Sequence, residues 1–309
     1  MRALVRKYPV TSYFVLAIAI SWVAVLSVIA SGPIPAPPRD AERLFPYVYL
    51  AMLVGPPVAG ILMTALTTGA QGLRDFRDRL FAWRVDARWY ALALLTAPLV
   101  LLITCYVLSP LSDNFVPGVL AAGNDPHGPV RAVSRASFVL MSLGFGLGAG
   151  FFEELGWTGF ATPALRLRLS PVRAALTIGA VWGAWHFLAV VWGSAGSFGS
   201  VPIPLFMVVA LFSFLPPYRV LMTRVYERTH SLLLAVLMHA SLTTSMLLLG
   251  PAIAGSDLLL YDLAFAALLW TLVAAAERGT AAHIRSHEQT APGHVPRHRR
   301  ERRASAGVH

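Results

Sequence analysis

Residues 138–165 read FVLMSLGFGLGAGFFEELGWTGFATPAL. The only charges in that run are two adjacent carboxylates, Glu153 and Glu154. A helix needs about twenty apolar residues to cross ~30 Å of hydrocarbon, so the stretch predicts a transmembrane helix holding two acids at membrane depth. Seven further runs of that kind lie at about 9–30, 44–68, 89–108, 174–192, 201–218, 231–249 and 257–276. The fold class read from them is all-α: a polytopic membrane bundle of about eight transmembrane helices, forming one integral-membrane domain over residues 1–276. The sixth run is the weakest, because Pro202 and Pro204 open it and Pro216–Pro217 close it. Composition agrees, with 56% apolar and only 13% charged residues, where soluble domains hold about 25% charged. The single cysteine, Cys105, excludes a disulfide scaffold and a cysteine-rich metal module.

Arginine and lysine collect in cytosolic loops. With the N-terminus inside, the inner segments hold Arg2, Arg6 and Lys7, then Arg74–Arg88, Arg166–Arg173, Arg219–Arg228 and the tail, 21 of the 25 basic residues. The outer loops keep four: Arg39, Arg43, Arg131 and Arg135. Both termini are therefore expected in the cytosol, with the protein in the cell membrane. The stretch Gly69–Arg88 alternates Arg with Asp around Phe76, Leu80, Phe81 and Trp83, the pattern of an amphipathic helix at the headgroups. The outer loop 109–137, with Pro110, Pro117, Pro126 and Pro129, reads as a surface excursion. The basic tail 277–309 is expected to be disordered. Its His283 and His287 lack the neighbours of a defined metal site. No nucleic-acid partner is expected.

Ionisable residues inside a span cost roughly 2.5–3.5 kcal/mol each at the helix centre. Besides Glu153 and Glu154, the fifth span carries His186 in Trp182-Gly-Ala-Trp-His186, and the seventh carries His239 in His239-Ala-Ser-Leu-Thr243. Glu153 stands 13 residues before Arg166, His186 13 after Arg173, and His239 11 after Arg228. At 1.5 Å per residue all three lie about 17–20 Å from the cytosolic end. Residues at one depth on three helices can share a pocket. A carboxylate and an imidazole there can hold and deprotonate a water, and a second imidazole can donate to the oxyanion of a tetrahedral intermediate. Thr243, one turn from His239 on the same face, adds a hydroxyl. The same acids and histidines, Glu153, Glu154, His186 and His239, are also the donor set of a divalent metal such as zinc. The glycines at 144, 146, 148 and 150 suit close helix packing better than a dinucleotide loop. Asp262, in the last span, has no partner that the sequence identifies.

At these residues the sequence resembles the type II CAAX prenyl protease and bacteriocin-processing family of intramembrane proteases (CPBP, or ABI). The family patterns are Glu-Glu-x-x-x-Arg, an aromatic residue four before a His, and His-x-x-x-Asn or a small polar residue. Here they stand as Glu153-Glu154-Leu-Gly-Trp-Thr158, Trp182-Gly-Ala-Trp-His186 and His239-Ala-Ser-Leu-Thr243, within a likeness covering roughly residues 70–250. The resemblance implies an eight-helix peptide hydrolase with a cavity open toward the cytosol. In it Glu153 and His186 activate water, and His239 and Thr243 stabilise the oxyanion. It implies no cofactor and a glutamate mechanism without metal. Its partners are membrane lipid and a peptide or protein substrate such as a lipidated C-terminus or a leader peptide. Two positions depart from the pattern. Thr158 stands where the family has Arg, which leaves Glu154 to find another donor or carry a proton, and Thr243 stands for the commonest Asn. Two other functions fit the residues: a transporter using the Glu/His cluster for protons or ions, and an inactive scaffold or immunity factor of the same family.

Overall fold

Seven of the described helices carry proline in their first turn, where the missing N–H costs nothing and φ is already helical. Capping side chains start three more, Asp86, Ser134 and Ser231, and Ser170 caps one of the proline-started helices. The computed structural model describes the backbone of residues 2–121 and 134–290 and the side chains of residues 5–120 and 134–279. Its helices are α1 (Arg2–Lys7), α2 (Pro9–Ile29), α3 (Pro38–Leu53), α4 (Gly55–Leu80), α5 (Ala87–Leu108), α6 (Gly118–Ala121) and α7 (Arg135–Gly156). A π-helical turn, Trp157–Ala161, leads into α8 (Thr162–Arg166), α9 (Pro171–Gly193), α10 (Ile203–Phe212), α11 (Leu215–Thr229), α12 (Leu232–Leu249) and α13 (Gly255–Thr290). Among the described residues there is no strand. Among the described residues, eight segments are long and apolar enough to cross a membrane: α2, α3–α4, α5, α7–α8, α9, α10–α11, α12 and α13. The protein is a multi-pass, all-α membrane protein. Apolar side chains such as Val15, Leu95, Tyr106 and Val208 face outward, as lipid contact allows.

Two units divide the chain, Met1–Leu269 and Trp270–His309. The first holds the bundle described below. In the second, α13 continues to Thr290, past the position 276 at which the sequence was read as leaving the membrane. The tail histidines, the C-terminal arginines, and Pro126, Pro129 and Arg131 of the outer loop lie outside the residues whose side chains are described.

Helix α7 packs most extensively on α12, and glycine sets how close they come. A Cβ on Gly146 or Gly150 would run into the Ala240 backbone of α12, while Gly148 faces the Tyr49 hydroxyl of α3 and Gly144 faces open space. Gly60 of α4 sits against the backbone of α7, where a Cβ would lie 2.8 Å from the Leu155 carbonyl and 2.9 Å from the Gly156 Cα. Gly150→Ala is therefore expected to destabilise the bundle by about 1–3 kcal/mol, the usual cost of overpacking. Thermal unfolding in detergent checks this, and an unchanged midpoint would mean the two backbones do not approach this closely.

The structure differs from the sequence reading in two spans. Pro216 and Pro217 do not end the sixth span; they occupy the first turn of α11, which runs on to Thr229. Arg219 is thereby carried inside the bundle, fully buried, instead of lying in a cytosolic loop. Within Gly69–Arg88, Gly69 adopts φ +64°, a left-handed conformation that glycine enters without a Cβ penalty. That kink turns the rest of α4 onto the bundle. Phe76 is buried against Gly159, and Arg79 donates to the Tyr226 hydroxyl at 2.7 Å and the Gly159 carbonyl at 2.9 Å. Phe81 and Trp83 stay exposed.

Candidate active site

Successive residues of a helix point about 100° apart, so Glu153 and Glu154 at the end of α7 face different neighbours. The π-helical turn follows at once, a local widening that recurs at functional sites. Glu153 looks into a cavity of about 530 Å³. One of its oxygens, Oε2, accepts two indole N–H bonds, from Trp182 at 2.7 Å and from Trp157 at 3.3 Å. The other, Oε1, has no hydrogen-bond donor from the described residues, and His239 Nε2 stands 3.8 Å from it. Two rigid indoles thus fix the carboxylate while leaving one oxygen for something else.

Glu154 is behind that wall, fully buried and outside the cavity lining. Arg219 of α11 grips it through both guanidinium nitrogens, 2.8 Å to each oxygen. The Thr158 hydroxyl donates to Oε2. His239 Nδ1 lies 2.8 Å from Oε1; a carboxylate held by an arginine can only accept, so Nδ1 carries the proton. This fixes the ring and leaves Nε2 on the cavity side. Arg219 also stacks on the Trp182 ring, 4.5 Å from its centroid, tying the group that holds Glu153 to the one that holds Glu154.

His186 is placed by its own helix and an aromatic neighbour. Its Nδ1 is 2.9 Å from the Trp182 carbonyl, which can only accept, so Nε2 is the nitrogen left free to act as a base. Trp185 packs edge-on against the ring at 4.6 Å. His186 and Thr243 both line the cavity that Glu153 and His239 border. The four cavity-facing positions expected from depth and motif therefore meet around one space, and Glu154 supports them from behind.

Sequence reasoning missed three things here. Arg219 meets the need left by Thr158, so Glu154 has its cation from another helix and no proton need be invoked. The available signal was Pro216-Pro217 followed by a mixed polar and apolar run, the mark of a helix start as much as a span end. Trp157 and Trp182 are hydrogen-bond donors to the site. The third is the direction of the cavity. Its lining comes from the arginine-poor ends of the helices: Phe45 and Tyr49 of α3, Phe145 of α7, Met246 of α12, Gly193 at the end of α9 and Ser197 beyond it. The Trp182, Glu154 and Arg219 layer is fully buried and closes the floor toward the arginine-rich ends. Under the charge-derived topology this lining would face away from the cytosol, whereas the resemblance implied an opening toward it.

Among the described residues, no three His, Cys, Asp or Glu side chains are disposed to hold a metal ion. Of the four named as alternative ligands, Glu154 has both oxygens committed to Arg219 and His239 has Nδ1 committed to Glu154. Glu154 and the Nδ1 of His239 are therefore taken up within the protein.

Residues 135–245 match the family model described as Rce1-like, type II CAAX prenyl endopeptidase. The chain is also 25% identical over 145 residues to a protein named CAAX prenyl protease 2 from Methanococcus maripaludis, covering 47% of this chain and 50% of that protein. The chain thus spans about half the length of this curated relative. Both comparisons fall in the family that the three motifs resemble, and the matched segment contains all three, from Glu153 to Thr243. It is narrower than the likeness over 70–250 read from the sequence.

Proposed function

We propose that the chain is an intramembrane endopeptidase that hydrolyses a peptide bond at Glu153, as the type II CAAX endopeptidase-like family to which its motifs point would lead one to expect. The observation that carries this reading is a cavity-facing carboxylate with one oxygen pinned by two indoles and the other left open beside an imidazole. In the proposed step, Glu153 takes a proton from water, helped by His186 Nε2. The resulting hydroxide attacks the scissile carbonyl. The oxyanion accepts hydrogen bonds from the Thr243 hydroxyl and from His239, whose protonated ring is oriented by Glu154 much as an aspartate orients the histidine of a hydrolytic triad. The C–N bond then breaks, the amine taking the proton that the water gave up. No metal enters any of these steps.

A floor closed by bulky, fully buried side chains suits hydrolysis and opposes a conduction path, which disfavours the transporter reading. The mostly apolar walls fit a hydrophobic or lipidated segment. The arginine asymmetry supports a cell-membrane protein with cytosolic termini, and on that topology the cavity receives its substrate from the non-cytosolic side. The test is cleavage of a panel of labelled apolar, leader-type and C-terminally lipidated peptides by the purified protein, followed by mass spectrometry. Cleavage that persists in excess chelator is expected; failure to cut any member, or loss of cutting on metal removal alone, overturns the reading. In sealed proteoliposomes of known orientation, peptide added to the arginine-poor side should be cut first. Cutting only from the arginine-rich side would refute the proposed entry.

A further inference from the structure

Asp262 of α13 lines the same cavity as Glu153 yet plays no part in the proposed hydrolysis. It is 94% buried, counted from a relative exposure of 6%. No hydrogen-bond donor or ion-pair partner for its carboxylate occurs among the described residues. A buried acid without a partner is costly unless something compensates it, and in a span such a residue is rare enough to need a reason. Most other polar groups of the cavity wall have partners. Ser194 donates to the Val191 carbonyl at 2.9 Å, and Tyr49 donates to the Phe145 carbonyl. Glu153, His186 and His239 are engaged in the layer at the cavity floor.

Position along the helices separates the two acidic ends of the cavity. Asp262 stands seven residues in from the start of α13 at Gly255, about 10 Å by helical rise, while His239 stands ten residues in from the end of α12 at Leu249, about 15 Å. Asp262 is therefore nearer the arginine-poor surface than the proposed reacting centre. The apolar side chains Leu242, Met246, Leu258 and Phe214 line the same cavity. A segment bound in the cavity would meet both the hydrolytic end and, nearer the arginine-poor surface, a lone carboxylate.

We propose that Asp262 is a specificity residue that receives a cationic group of the bound peptide, a lysine, arginine or free N-terminal ammonium, in the same cavity as the bond at Glu153. The proposal rests on the reading that the cavity binds peptide, but not on cleavage. An ammonium or guanidinium supplies the partner the protein withholds, and its attraction is strong in a desolvated site. A neutral peptide of the same length would leave the carboxylate unpaired and bind less well.

The test uses binding, so that failure of the hydrolytic mechanism and failure of this proposal can be told apart. Glu153→Gln protein in detergent is titrated with fluorescent apolar peptides carrying lysine or leucine at successive positions, each with a free or an acetylated N-terminus. One lysine position, or the free N-terminus, should bind about tenfold or more tighter than its neutral counterpart, and the two series show which source supplies the charge. Adding Asp262→Asn should bring that ratio close to one, while Asp262→Glu should restore it. The Glu substitution guards against mere misfolding, as does a thermal unfolding scan of each protein. The proposal is overturned by equal affinities for charged and neutral peptides, by a preference that survives Asp262→Asn, or by no peptide binding at all.

Discussion

Arg219→Met should unfold at a markedly lower temperature than the wild type and lose peptide cleavage. Removing one partner of a buried ion pair typically costs about 3–5 kcal/mol, because the remaining charge is left without compensation. Here that charge is Glu154, fully buried, with Arg219 taking both of its oxygens. The damage spreads further than one pair. The guanidinium also stacks on Trp182, which holds Glu153, and Glu154 orients His239. A double variant, Arg219→Met with Glu154→Gln, removes both charges and should regain much of the lost stability without regaining activity. Melting curves in detergent and cleavage of the best peptide measure the two effects separately. A single variant as stable as the wild type would show that the pair does not hold the site together.

Glu153→Gln is expected to behave in the opposite way, with cleavage falling by about 10²–10⁴-fold, the range supplied by a positioned general base. The unfolding midpoint should stay near that of the wild type. Glu153 pairs with no arginine or lysine among the described residues, and the glutamine carbonyl can still accept the two indole bonds that anchor it. What it cannot do is take a proton from water. Single-turnover cleavage alongside thermal melting makes the comparison, and undiminished turnover would remove Glu153 from the chemistry. Together the two variants separate the roles of adjacent acids, one facing the cavity and one bracing its wall.

The eight apolar runs were legible because crossing a bilayer imposes length and hydropathy locally, one helix at a time. The shared level of Glu153, His186 and His239 was legible for a related reason. Helical rise is constant, so counting residues from the arginines ranks depth on any span. Such counting says nothing about azimuth, and that is where the reading fell short. Arg219 looked like a loop residue because charge inside a span is costly, and the carboxylate that compensates it lies 65 positions earlier in the chain. The roles of Trp182 and Trp157 were not legible because an indole N–H is polar in effect only when an acceptor stands opposite it. For Asp262, nothing in the chain's order hinted at a cavity shared with α7 and α12.

Local chain chemistry determined how often this protein crosses the membrane, which ends gather the arginines, and at what level its acids and histidines lie. Tertiary packing decided which of those groups face each other, which glutamate is supported by a cation, and toward which end the cavity extends. The reason is that hydropathy and helical rise belong to a single helix, whereas a hydrogen bond or a cavity belongs to the rotation and contact of several. Those rotations were set by close approaches such as Gly146 and Gly150 against Ala240.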